Sequence, residues 1–211
     1  MTSSAAKSSY DWSVFINCPF DNAFQPIFDA LVFTGIHCGF RVRCAREIDD
    51  GSQIRTEKIF AIIEECRFGI HDLSRTELDK NRLPRFNMPL ELGMFLGAKR
   101  YGNAIQKKKH CLILDRERYR YQKFVSDIAG QDIRSHQKNV QQTISITRNW
   151  LSGFCGSPLV GGQLIARRYK RFRRRLPKLC KLLGLQVSEL TFNDFTNIAT
   201  AWLKNELQVV K

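Results

Sequence analysis

The sequence predicts a doubly wound α/β domain followed by a helical extension, and three observations carry that prediction. Short apolar runs and helical stripes alternate four times within the first 115 residues. The apolar runs are continuous rather than alternating, as strands buried on both faces require. Each connection between runs is long enough to hold a helix, which parallel pairing demands. Beyond residue 115 the alternation stops and the chain reads as helices, one of them strongly basic.

The first strand is Ser13-Val-Phe-Ile-Asn17, and Pro19 closes it because it cannot donate to a ladder. Phe24, Phe28 and Leu31 open a helical stripe that runs to about Cys38, where Gly39 stops it. Phe40 to Cys44 forms the second strand, and the charged loop Arg46 to Ser52 turns at Asp50-Gly51. Ile59, Ile62, Ile63 and Cys66 give the second helix its amphipathic spacing. Phe68 to Asp72 is the third strand, and a polar loop over residues 73–86 leads to the third helix. Asn87 has the chemistry of an N-cap there, Pro89 suits the first turn, and Gly102 suits a left-handed end. Leu92, Phe95 and Leu96 form its apolar stripe, with Gly93 and Gly97 leaving room for close backbone approach. Glu91 falls in the first turn on this reading, where the helix dipole keeps it ionised. His110 to Leu114 is the fourth strand, ending at Asp115.

Arg116 to Ser135 reads as a loop and short helix beside the sheet. A helix from His136 to Trp150 turns Val140, Ile144 and Trp150 inward, and the glycine-rich stretch 152–162 is a hinge or linker. Leu164 to Leu183 is helical, with Ile165, Tyr169, Phe172, Leu176, Leu179 and Leu183 on one face. Pro177 should kink or split it, and Gly184 should cap it. Asn193 caps a last helix carrying Phe195, Ile198, Trp202 and Leu207. The domain plan is a flexible tail over 1–10, an α/β nucleotide-binding domain over 11–135 and a basic helical extension over 136–211.

Composition narrows the function. Hydrophobic residues make up 43%, enough for a real core. No run approaches the eighteen apolar residues of a membrane span, and Met1 to Ser9 lacks the apolar stretch of a signal peptide, so a cytoplasmic protein with no membrane contact is expected. The seven cysteines include no CxxC pair and the four histidines show no ligand spacing, which predicts neither a disulfide framework nor a metal site. The net charge is +14, and residues 167–181 hold nine Lys or Arg with no acid. That element would either be a solvated face or contact nucleic acid or another polyanion through Arg171, Arg173, Arg174 and Arg175.

No GxGxxG follows the first strand, no P-loop occurs, and no Ser or Cys sits in a nucleophile elbow. The rim at the strands' carboxyl ends instead carries carboxylates, arginines and amides, an inventory suited to cleaving a glycosidic bond. Val14 to Asn17, the loop Glu47 to Ile54, and Ile59 to Ser74 resemble a TIR domain. Asn17-Cys-Pro-Phe-Asp21, Asp72 and Pro89-Leu-Glu-Leu-Gly93 are similar to nucleoside 2-deoxyribosyltransferases and nucleotide N-hydrolases. The resemblance covers about residues 12 to 115 and implies a flavodoxin-like, TIR-like sheet with Glu91 as the catalytic glutamate. It implies an N-glycosidase acting on NAD or a related nucleotide as substrate, with no cofactor, self-association into a homo-oligomer, and a role in bacterial defence.

Asp72 is the second catalytic candidate, binding a ribose hydroxyl or orienting the base, with a strand-end cap as its structural alternative. Asn17 and Asp21 would hold ribose or simply close the loop after Pro19. Arg46, Arg55 and Arg75 would meet phosphate or remain solvated, and Phe20 would stack on a base or pack in the core. Ser74 and Met88 complete the substrate-binding set. The competing function is a non-catalytic module that senses a nucleotide or binds nucleic acid.

Overall fold

The computed structural model describes residues 9–77 and 85–208. Its strands are β1 (Ser13–Asn17), β2 (Arg41–Arg43), β3 (Phe68–Asp72), β4 (His110–Asp115) and β5 (Arg134–Ser135). They form one parallel sheet in the order β2-β1-β3-β4-β5, the flavodoxin-like arrangement. Its helices are α1 (Gln25–His37), α2 (Arg55–Glu64), α3 (Asn87–Tyr101), α4 (Val140–Ser152), α5 (Gly162–Leu182) and α6 (Phe192–Gln208).

The chain divides into two compact units. The first, residues 1–19, 40–45 and 50–135, holds the sheet with α2 and α3. Every residue of β1 and β3 is buried, because both are central strands. Ile16 pairs with Ile70 and Asn17 with His71 across them, so the polar ends of the two strands finish level. Helix α3 packs on β1, β3 and α2. Met88 and Leu92 join Leu73, Ile113 and Tyr121 in a core beneath it. β5 is a fifth strand within the stretch expected to be a loop and short helix. It has two residues, is polar and lies at the sheet edge, so no apolar run announces it. Of the expected tail, Ser9 and Tyr10 are described, and Tyr10 donates its hydroxyl to the Ile105 carbonyl at 2.9 Å. Part of the expected 73–86 loop lies outside the described residues.

The second unit, residues 20–39, 46–49 and 136–211, is helical. α1 packs against α4, α5 and α6, with Phe33 and Phe172 stacked at 5.2 Å in its core. Gly39 (φ +86°) and Gly184 (φ +70°) adopt the left-handed conformation that ends α1 and α5, as the sequence predicts.

Several element ends differ from expectation. α4 starts at Val140 rather than His136, because Gln137 and Lys138 take positive φ and Asn139 caps the helix by accepting the Gln142 amide. Pro177 does not split α5. It is exposed, where water can satisfy the carbonyl left without an amide partner. Leu183 is exposed, lying one residue past the helix. Thr191, not Asn193, caps α6: its hydroxyl accepts from the Asp194 amide, and Asp194 accepts from Thr191. Gly102 ends α3 with φ −70°, so it is not left-handed. Its value is space, since a Cβ there would lie 2.7 Å from Gln106 Cβ. Nothing comes within 4 Å of a Cβ built at Gly93 or Gly97, so neither serves a close backbone approach.

Candidate functional site

The site in the first unit is built where the strand order reverses. From β1 the chain goes outward to β2, then returns to β3 on the other side, so the crevice lies between β1 and β3. Asn17 ends β1 in that crevice and is buried. Its Nδ2 donates to the Met88 carbonyl at 2.9 Å and lies 3.1 Å from His71 Nδ1. A carbonyl can only accept, so the amide nitrogen is fixed, and His71 Nδ1 must be the unprotonated ring atom. His71 is therefore neutral, with its proton on Nε2. Burial, with Lys109 adding to it, pushes its pKa down to about 3. The ring lies against Phe95 at 4.9 Å. A Cβ at Gly69 would sit 2.6 Å from His71 Nε2 and 2.9 Å from the Phe95 ring, so glycine is what lets the imidazole lie there. His71, Asn17 and the Met88 carbonyl thus tie the ends of β1 and β3 to the first turn of α3.

That clamp decides where Glu91 points. Met88, Glu91, Leu92 and Phe95 follow the i, i+3, i+4, i+7 spacing, and all four are buried. Glu91 is thus a carboxyl in an apolar stripe, 7% exposed. This corrects the expectation that it lies in the first turn and is held ionised by the helix dipole. Phe86, not Asn87, precedes the helix and gives no side-chain cap, so Glu91 lies beyond the first turn, where the dipole has faded. Burial dominates instead and pushes its pKa up to about 7, against the opposing pull of the Arg55 charge. Among the described residues no hydrogen-bond donor reaches its carboxyl. The structure therefore brings predicted residues Asn17, Met88, Glu91 and Arg55 together.

The other predicted rim residues of this unit, Asp72, Ser74 and Arg75, lie at the end of β3 and in the turn after it. Asp72 is fully buried, and its Oδ1 accepts the Ser74 amide at 2.9 Å, closing the turn after β3. Ser74 is itself buried and Arg75 half-buried. Beside them lies Arg120, which nothing in the sequence marks. It is 7% exposed and bonds Asp115 Oδ1 at 2.8–2.9 Å, Thr76 Oγ1 at 3.3 Å and the Leu73 carbonyl. Burial raises the Asp115 pKa, Arg120 opposes it, and the Asp72 charge adds to the rise. Tyr119, at φ 60°, turns the chain so that Arg120 enters.

Phe20, Asp21 and Arg46 belong to the second unit. Asp21 Oδ1 accepts the Phe24 amide at 3.1 Å, just before α1. Arg46 is exposed and lies over the Phe20 ring at 5.6 Å.

The basic face of α5 is more compensated than its sequence suggests. Arg173 pairs with Asp29 of α1 and Arg171 with Glu206 of α6. Arg168 is buried with its Nη1 3.0 Å from His37 Nε2. Both acids lie far from residues 167–181 in sequence, which is why the charges read as unpaired. Arg174 and Arg175 are exposed and, with Arg171 and Trp202, line an open cleft of about 490 Å³.

Among the described residues, no helix is long and apolar enough to cross a membrane. No family model, no curated protein and no solved structure matches this chain.

Proposed function

We propose that the chain is a nucleotide N-glycosidase that cleaves the N-glycosidic bond of NAD or a related nucleotide, with Glu91 as the group that supports C1′. One observation carries this reading: a buried glutamate with no compensating donor among the described residues, titrating near 7, on the helix that packs against the two strands of the switch point. Carboxyls with pKa moved toward neutrality in a crevice are where acid, base and nucleophile chemistry is found.

In the reaction the C1′–N bond breaks and its electron pair leaves with the base. Positive charge develops on C1′ and the ring oxygen. Ionised Glu91 stabilises that charge, or closes on C1′ as an ester, in surroundings where the interaction is little screened. Water then adds to C1′, which frees the carboxylate, and its proton goes to the departed base where that left as an anion, or otherwise to solvent. A base that is cationic before cleavage, as nicotinamide is in NAD, would favour the ionised carboxyl and draw its pKa down on binding. Arg55 acts in the same direction. Asn17 and His71 are positioning residues that hold the first turn of α3.

The test is incubation with NAD and a panel of nucleotides, with products separated by chromatography. Glu91→Gln should lower turnover by about a hundredfold or more. The wild-type kcat/KM should rise with pH through about 7, since the ionised form is required. Turnover that persists in Glu91→Gln removes the assignment.

A further inference from the structure

The outward face of α5 carries a line of cations that the glycosidase reading does not use. Arg167, Arg171, Arg174, Lys178 and Lys181 follow the i, i+4, i+7, i+11, i+14 spacing, which puts them on one side of the helix. All are exposed, and Lys170 and Arg175 flank them and are exposed too. At the helical rise the line runs for about 20 Å. Residues 167–181 contain no acid, so any neutralising charge must come from a packed neighbour. α1 supplies Asp29, which pairs with Arg173, and α6 supplies Glu206, which pairs with Arg171. Among the described residues, Arg167, Lys170, Arg174, Arg175, Lys178 and Lys181 enter no ion pair. Like charges one turn apart repel, so the line works against its own helix until an anion meets it.

The line borders the open cleft of about 490 Å³ lined by Arg171, Arg174, Arg175, Trp202, Asn205 and Glu206. Three arginines stand there against one glutamate, a surplus of two positive charges. Trp202 is half-buried. Its indole lies 5.5 Å from Phe172 and 6.2 Å from Phe33, which holds the ring in place while part of it lines the cleft. Asn205 adds an amide that can donate and accept. A fixed aromatic ring among guanidinium groups is the combination that meets a base and its phosphates together.

We propose that this face of α5 and the cleft beside it bind single-stranded nucleic acid. Phosphates lie along the cations, the forks of Arg174 and Arg175 hold phosphate oxygens, and an unpaired base stacks on the open part of Trp202. A duplex keeps its bases stacked on one another, so none of them reaches the indole. A membrane surface would need apolar side chains next to the cations. Those of α5, Ile165, Tyr169, Phe172 and Leu176, are buried, and exposed Leu182 and Leu183 lie only at the helix end. The inference stands independently of the chemistry assigned to Glu91, which belongs to the other unit.

Fluorescence anisotropy of a labelled single strand of about 12 nucleotides tests it on the full chain, with DNA and RNA strands, a duplex of equal length, and sedimentation with phosphatidylserine–phosphatidylcholine vesicles as further arms. At least one single strand should bind about fivefold or more tightly than the duplex. Arg174→Gln/Arg175→Gln should weaken it about tenfold or more and make the slope of log affinity against log salt about 1.4 shallower, since each phosphate contact is worth about 0.7. Its Tm should be no lower than that of the wild type, because both side chains are exposed. Lys107→Gln/Lys108→Gln removes the same charge from an exposed stretch of the first unit and should change the affinity by less than about twofold. Trp202→Phe should weaken binding about fivefold and remove most of the tryptophan quenching seen on binding. Glu91→Gln should leave the affinity unchanged, which separates this surface from the proposed catalytic site. A duplex bound as tightly as the strand, an equal loss in the two double variants, or no binding at about 100 μM protein in about 50 mM salt overturns the proposal. Binding to vesicles but to neither strand also overturns it, in favour of a membrane surface.

Discussion

Replacing Glu91 by Gln separates the charge of this side chain from its shape, and the cost of that charge can be worked out. The carboxyl titrates near 7 in the folded chain against an ordinary 4.5. Between those values the folded state keeps a proton that the unfolded chain has released. Stability therefore falls as pH rises from 4.5 toward 7 and levels off above it. The gap corresponds to about 3 kcal/mol against the ionised folded state. Part of it is already present near pH 5, so between about pH 5 and about pH 8 the wild type should lose about 2.5 kcal/mol relative to Glu91→Gln. Glutamine fills the same space and has no such slope.

Urea titrations of both proteins across that range measure the difference directly, provided their m-values agree. Arg55 is the internal control. Its charge lowers the Glu91 pKa, so Arg55→Gln should push the midpoint of the slope higher. Stability profiles that run parallel within about 0.5 kcal/mol would show that Glu91 is solvated when folded. That result would refute the burial argument and the glycosidase reading together.

Three further substitutions test the frame around the site. Asn17→Asp keeps the shape but removes both donations, to the Met88 carbonyl and toward His71 Nδ1, and should cost about 2–4 kcal/mol in denaturant unfolding. Arg120→Met should cost about 3–5 kcal/mol, because Asp115 is fully buried and would lose its charged partner; the companion Arg120→Met/Asp115→Leu variant should recover much of the loss. Gly69→Ala should lower stability by about 1–3 kcal/mol, since its methyl would force His71 or Phe95 aside, and it should lower Tm in a thermal melt.

How far the sequence could be read depends on how local the determining interactions are. The bounds of β1 and β3 match expectation to the residue, because central strands buried on both faces must be unbroken apolar runs. β5 has no such run; two polar residues become a strand only because β4 offers an unpaired edge. The helix caps depart from the local chemistry for a related reason. Asn87 and Asn193 have capping chemistry, but the Asn17 side chain bonds the Met88 carbonyl in the first turn of α3, and at α6 Thr191 and Asp194 form the cap while Asn193 Nδ2 donates to the Glu47 carbonyl. Starting α3 one residue earlier puts Glu91 beyond the first turn, while its place in the apolar stripe comes from its spacing. The spacing Met88, Glu91, Leu92, Phe95 was visible in the chain and pointed to burial. Arg120, by contrast, gave no sign, since its partners Leu73 and Thr76 lie more than forty residues away.

Two buried acids in the first unit differ in how their charge is met, and that difference bears on the proposed role of Glu91. Both are withdrawn from water, and burial raises both pKa values. Asp115 accepts at Oδ1 from the Arg116 amide at 2.7 Å and from two nitrogens of Arg120, so it has a buried arginine as its ion-pair partner, although its buried Oδ2 has no hydrogen-bond partner. Glu91 has Arg55, exposed and acting through space, as the charge opposing its burial. A leucine at position 91 would complete the stripe of Met88, Leu92 and Phe95 and remove an ionisation cost of about 3 kcal/mol at neutral pH. A carboxyl there therefore works against the stability of the helix that carries it. The deficit is removed by whatever brings positive charge to Glu91, and the developing cation at C1′ of a nucleotide is a species that does so only while the glycosidic bond is breaking.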